Sequence, residues 1–426
     1  MRLSPIVAVA AAAFLTACAQ TAGTLPAVTA ASCRTANAQN LSSGLQSALP
    51  DFAQDSTLMP AVATAAKRRL WPREGPAVRV CGDVGAGFAR CLAWLRTDIH
   101  GPIQPDTPGG YAPSDLQTAY GLTSESARKG AGQTVAIVDA YDDPNADGDL
   151  ATYRRQFGLP ACSVAGGCFT VQKYTVQTNP GWAAEESVDL DMVSAVCPHC
   201  KILLVEAAST SIADLSTAEK YATAHADVVS NSWGGSEGTT AYDDAFSGRC
   251  VPITAATGDK GYTSTAQWPA ILPSVVAVGG TSLSSISPRV ETAWTNAGSG
   301  CSKLYAKPRV QSDLKTGCAM RAESDVSADA DPRTGVAVYD SFHQSGWLVF
   351  GGTSVAAPIV ASLFALVGDG AANRTTTPIE TLYSHVTALN DVTSGSNGGC
   401  GPPLCVAGPG WNGPTGLGTP NGVAAF

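Results

Sequence analysis

The chain is short of charge: Asp, Glu, Lys and Arg make up 14% of its 426 residues. Basic residues are the scarcer sign, 26 against 35 acidic, and the net charge of −9 comes with no Lys/Arg-rich stripe. That balance argues against nucleic acid as a partner. Histidine is rare, with five in all. The longest apolar run, Ile6 to Leu15, is too short for a permanent membrane span, which excludes a multi-span membrane protein. What is plentiful is apolar: hydrophobic residues reach 44%, too many for a disordered chain and enough for a sizeable core. The 44 glycines and 27 prolines imply many turns but follow no collagen-like period. Thirteen cysteines are more than a reducing compartment tolerates as idle thiols, which points to export.

The N-terminus fits export. Arg2, the apolar run and Leu15-Thr16-Ala17-Cys18 read as a signal peptide over residues 1–18. The small residues before Cys18 resemble a bacterial lipobox, in which Cys18 becomes the lipid-bearing N-terminus and holds the protein on a membrane surface. An ordinary signal peptide with a chance cysteine is the alternative. Removing Cys18 leaves twelve cysteines, and local spacing suggests the pairs Cys81–Cys91, Cys162–Cys168, Cys197–Cys200, Cys301–Cys318 and Cys400–Cys405, with Cys33 and Cys250 left over. Cys197-Pro198-His199-Cys200 also has the shape of half a zinc or redox motif. No second half completes four ligands, so a small structural loop is expected there.

Residues 19–111 are rich in Ala, Pro and Gly with little periodicity, and read as a linker or short pro-segment. Residues 112–426 read as one domain. Short apolar strands at Val135 to Val138, Lys201 to Val205, Val228 to Ser230, Val251 to Ala255 and Val275 to Val278 alternate with helical stretches such as Leu150 to Phe157 and Ile212 to Ala226. This alternation predicts an α/β fold, a parallel sheet with helices on both faces. Ligands bind such sheets at the carboxyl ends of the strands, and chemistry-bearing residues are found after strands here.

The sharpest of these is Gly351-Gly352-Thr353-Ser354-Val355-Ala356-Ala357-Pro358. Two glycines permit a tight turn after an apolar strand, and Ser354 opens a helix whose free N–H groups favour developing negative charge. Ser354 could equally be an ordinary N-cap. A nucleophilic serine needs a base. None of His100, His199, His225, His343 and His385 has a fitting context. Carboxylates do better: Glu185 and Asp189 are four apart on a predicted helix over Trp182 to Met192, on one face with Cβ atoms about 5–6 Å apart. Like charges so placed share a proton and raise the apparent pKa of the pair, unless the face is merely a solvated one. Asp259, in the turn Thr257-Gly258-Asp259-Lys260-Gly261 after a strand, is either a substrate-facing acid or a turn stabiliser.

These three motifs occur together in the order of the sedolisin (serine-carboxyl peptidase) family, and the chain resembles it from about Tyr111 to the C-terminus. Val228-Val229-Ser230-Asn231-Ser232-Trp233-Gly234 and Gly408-Pro409-Gly410-Trp411-Asn412 are similar as well. The resemblance implies a subtilisin-like fold and an exported endopeptidase acting on proteins or peptides, a monomer with an acidic pH preference. By the same resemblance Ser354 is the nucleophile, Glu185 its base, Asp189 the partner sharing Glu185's proton, and Asp259 a protonated donor to the oxyanion. Ser232, Trp233 and Gly234 would pair with the substrate backbone as an added strand. One calcium ion is expected on Asp391, the carbonyls of Val392, Gly408 and Gly410, and Asn412, which stands where the family usually has Asp.

Three departures accompany the resemblance. Lys260 follows Asp259 where a small residue is usual, and its charge would lower the pKa of Asp259. The segment before Tyr111 is shorter than the usual pro-domain. Asp139 ends a strand as does the aspartate of histidine-dependent subtilisins, but no His-Gly-Thr partner accompanies it, so Asp139 reads as structural or a site neighbour. A catalytically silent, lipid-anchored peptide-binding module and a histidine-dependent subtilisin relative are the competing readings.

Overall fold

The computed structural model describes residues 75–426 except 101, 105–106, 248–250 and 369–375. The signal peptide 1–18, Cys18, the first part of the 19–111 segment, Cys33 and Cys250 all lie outside the described residues.

The central sheet is built from strands β4 (Thr134–Ala140), β5 (Phe169–Lys173), β6 (Lys201–Ala207), β7 (Val228–Asn231), β9 (Ile253–Ala256), β11 (Val276–Ile286), β12 (Arg289–Ala293) and β13 (Val326–Asp329). Their order is β12-β11-β9-β7-β4-β6-β5, with β13 also on β11. All pairings are parallel except the β11–β12 hairpin. The parallel strands are almost continuously apolar because both faces are covered. Successive residues feed opposite cores. Val135, Ile137, Ile202 and Leu204 pack with one cluster, while Ala136, Val138, Leu203 and Val205 pack with the other. The first cluster is closed by the helices α1 (Ala146–Gln156), α2 (Pro180–Val196) and α4 (Thr353–Val367), the second by α3 (Ile212–His225). The expected α/β architecture is the observed one.

The segment before residue 112 is more ordered than its composition suggests. Ala77–Arg79 (β1), Ala89–Cys91 (β2) and Trp94–His100 (β3) are strands. Strand β3 lies between β1 and β15 (Gly346–Gly351), and β15 continues to β14 (Val336–Asp340), all antiparallel. Strand β2 pairs antiparallel with β8 (Trp233–Ser236), which is also bonded to β10 (Gln267–Trp268). Residues from 77 onward are therefore integral to the folded domain rather than a linker to it. The runs are only three to seven residues long, and β2 and β3 find their partners β8 and β15 far along the chain, so no local period announces them. The five expected disulfides, Cys81–Cys91, Cys162–Cys168, Cys197–Cys200, Cys301–Cys318 and Cys400–Cys405, are all formed.

Candidate active site

Helix α2 starts where Asn179 accepts from the amides of Gly181 (3.0 Å) and Trp182 (3.2 Å), with Pro180 at the first helical position. From Trp182 to Val196 every residue of α2 is buried. Glu185 and Asp189 are fully buried, so the solvated acidic face is excluded for them. Burial raises both carboxyls well above the ordinary range, and Glu185 is raised further by the negative charge of Asp189. Behind the pair, Asp139 is fully buried too, with neither oxygen hydrogen-bonded, and burial followed by Asp189 and Glu185 pushes it up. Asp139 is thus a neighbour of the pair.

Helix α4 points its N-terminus at this cluster. Gly352, at φ +102°, makes the turn, and a side chain there would collide with the Leu92 carbonyl. Ser354, two residues after that glycine, is fully buried. Its hydroxyl stands close enough to Glu185 to lower that carboxyl's pKa. The formal hydrogen bond, however, goes to the Ser232 carbonyl at 3.1 Å, and Glu185 Oε1 keeps no partner. The Oγ of Ser232 donates to Asp189 Oδ1 at 2.6 Å. The Trp233 indole is anchored in the core by a 2.8 Å bond to the Val138 carbonyl, leaving the backbone of Trp233 and Gly234 to form the ladder with β2.

Asp259 approaches from the end of β9. Its Oδ1 accepts from the Thr353 amide (2.9 Å) and hydroxyl (2.8 Å), while Oδ2 is buried and free. Burial pushes its pKa up to about 6, and the Thr353 bonds and Arg90 oppose that rise. Lys260 does not act on Asp259 as expected. Its ammonium turns outward to Asp83 at 2.9 Å, and the charge that reaches Asp259 is Arg90's. Of the histidines whose side chains are described, His199, His225, His343 and His385 are all exposed, and none hydrogen-bonds a site residue.

Sequence reasoning brought together Ser354, Glu185, Asp189, Asp259 and Ser232. It missed Thr353, which holds Asp259, and residues 90–94, which enter the site from the N-terminal segment. Glu185 Oε2 accepts from the amides of both Leu92 (3.0 Å) and Ala93 (2.9 Å). The one available signal was the Cys81–Cys91 spacing, which marks a structured loop where composition suggests none.

The expected calcium ligands converge in the C-terminal loops, Gly408 half-buried among them. Asp391 Oδ2 accepts from the Gly410 amide at 2.9 Å. Fully buried Asn412 turns its amide nitrogen to the Val392 carbonyl (3.1 Å) and the Gly410 carbonyl (3.4 Å), and its oxygen to the amide (3.1 Å) and hydroxyl (2.7 Å) of Thr415. Flipping the amide would set oxygen against two carbonyls and NH₂ against the Thr415 amide, so the network fixes its orientation. A cation needs oxygens at that point, and a donor stands there instead. So arranged, the residues do not fit the ion.

The family model described as the subtilase family matches residues 170–401. Kumamolisin of Bacillus sp. (strain MN-32) is 30% identical over 360 residues, 75% of this chain and 64% of kumamolisin. Sedolisin of Pseudomonas sp. (strain 101) is 35% identical over 176 residues, 37% of this chain and 29% of sedolisin. The chain thus spans less than two thirds of the length of these curated relatives. The solved structure of Pseudomonas sedolisin, a serine-carboxyl proteinase complexed with two molecules of pseudo-iodotyrostatin, superimposes with a TM-score of 0.64 at 26% identity, covering 74% of this chain and 96% of that one.

Proposed function

Because the chain belongs to the subtilase family, in its sedolisin branch, we propose that it is a serine-carboxyl endopeptidase that works in acid. The observation that carries this reading is the meeting of Ser354 with the buried Glu185–Asp189 pair at the start of α4, with Asp259 across from it and, among the described histidine side chains, no imidazole bonded to the site. Ser354 adds to the substrate carbonyl as Glu185 takes its proton, and Asp189 holds Glu185 in its ionisable pair. Glu185 then returns the proton to the leaving amine, and water releases the acyl group by the same route in reverse. Asp259, protonated below about pH 6, offers Oδ2 to the oxyanion, which a carboxylate could not do. The backbone of Ser232 to Gly234 takes the substrate as an antiparallel strand.

At the expected calcium position the Asn412 amide itself joins the Val392 and Gly410 carbonyls to Thr415. Five disulfides among the described residues support an oxidising location and with it export; anchoring through Cys18 and a monomeric state are further parts of the proposal. The test is cleavage of an unfolded protein between pH 3 and 8. Wild type should cut best at the acid end, Ser354→Ala and Glu185→Ala should be inactive, and unchanged cleavage by either variant refutes the roles. An optimum at pH 8 that vanishes with a histidine substitution would instead favour the histidine-dependent reading.

A further inference from the structure

As an oxyanion donor Asp259 needs its proton on Oδ2, the buried oxygen that keeps no partner. A carboxylic acid has no such preference of its own, since either oxygen can be the O–H. The surroundings of Oδ1 remove the choice. It accepts from both the amide (2.9 Å) and the hydroxyl (2.8 Å) of Thr353. Two donors use both lone pairs of that oxygen, so a proton placed there would meet two hydrogens already aimed at it. Oδ1 is therefore the carbonyl oxygen of the acid and Oδ2 its hydroxyl.

The Thr353 hydroxyl is not free to turn away. The Gly258 amide stands 3.1 Å from Thr353 Oγ1, and an N–H can only donate, so Oγ1 accepts there and gives its own hydrogen to Asp259. The result is a one-way chain that leaves the backbone one residue before Asp259 and returns to the Asp259 side chain. Both anchors are held. On the turn, the Thr257 hydroxyl donates to the Gly298 carbonyl (3.1 Å) and the Gly298 amide to the Gly258 carbonyl (2.6 Å). At the start of α4, the Gly352 amide donates to the Ala330 carbonyl (2.6 Å). The Thr353 methyl fixes the rotamer: the side chain is fully buried, and a Cβ added at Gly280 would stand 3.3 Å from its Cγ2.

We infer that Thr353 is a positioning residue for the oxyanion acid, placing the proton of Asp259 on Oδ2 through the chain that starts at the Gly258 amide. The inference rests on the peptidase reading, in which Asp259 donates to the oxyanion. Thr353 itself neither touches the substrate nor transfers a proton; it acts through Asp259. The same bonds also govern when the proton leaves. Burial raises the carboxyl, and the Thr353 amide and hydroxyl oppose the rise, followed by Arg90 of β2 and the Trp94 indole of β3. Glu185 of α2 is the acidic group that faces it, and Lys260, on its own turn, points away to Asp83. Donors to the ionised form favour that form, so loss of the Thr353 hydroxyl should raise the pH at which Asp259 ionises.

The experiment compares wild type, Thr353→Val and Thr353→Ser in cleavage of an unfolded protein between pH 3 and 8, with melting temperatures measured alongside. The first variant keeps the methyl and loses the hydroxyl; the second does the reverse. Thr353→Val should lower kcat at pH 4 by about tenfold with KM nearly unchanged, and move the alkaline fall of kcat/KM upward by about one pH unit. Thr353→Ser should keep kcat and the position of that fall close to wild type, whatever its melting temperature. Should Thr353→Val fold poorly, Thr353→Ala takes its place, since it differs from Thr353→Ser only in the hydroxyl. A folded variant without the hydroxyl that keeps either wild-type kcat or the wild-type fall overturns this inference and spares the peptidase. So does Thr353→Ser impaired as much as the variant without the hydroxyl. No cleavage by wild type at any pH overturns both.

Discussion

Asp259 commits one oxygen to Thr353 and keeps the other free, and the consequence is readable in a pH profile. Its carboxyl loses its proton as pH rises through about 6, so kcat/KM on an external protein should fall across that range. Asp259→Ala should lower kcat by about 10²–10³-fold and remove that limb, since a lost oxyanion donor costs that much. Asp189→Asn should lower kcat by on the order of 10⁴-fold while leaving KM nearly unchanged, because it disables the base without touching substrate. Asn412 gives a prediction of another kind. Chelator should leave the melting temperature unchanged, whereas Asn412→Asp should lower it in chelator and recover it with added calcium. That substitution removes two donated bonds and places a charge against carbonyl oxygens.

At the level of elements, the parallel strands and the helix carrying Glu185 were legible because each is a local pattern: a continuous apolar run, or an i, i+4 pair. Ser354 was legible for a similar reason, two glycines before a helix of small residues. The strands at 77–79, 89–91 and 94–100 were not. Strands 89–91 and 94–100 depend on β8 and β15, more than 130 residues away, 77–79 in turn depends on 94–96, and three-residue strands carry no measurable period. The direction of Lys260 was equally hidden. Adjacent in sequence to Asp259, it belongs spatially to Asp83 in that same N-terminal segment. Asn412's amide orientation depends on Thr415, three residues on, a hydrogen bond that composition cannot reveal.

The whole molecule buries an unusual number of protonated carboxyls away from the reacting centre. Burial raises Glu186, and brings Glu206 to about 8, Glu219 to about 8, Asp143 to about 7 and Asp340 to about 7. Between the ordinary carboxyl range near 4 and these raised values, the folded state holds protons that the unfolded chain has released. Stability conferred in this way is complete in acid and is lost as pH climbs toward 8. The denaturation midpoint should therefore decline between about pH 4 and pH 8, and Glu219→Gln, a neutral replacement far from Ser354 in sequence, should flatten the decline; a midpoint that rises across the range would contradict it. A fold that depends on protonated carboxyls agrees with the acidic working range proposed for the enzyme. At the centre of the account is a serine activated by a glutamate. The most direct test is kcat/KM at acid pH for wild type and Glu185→Gln, with matched melting temperatures. The variant should lose activity on the order of 10⁴-fold. A Glu185→Gln enzyme that keeps wild-type turnover would contradict it.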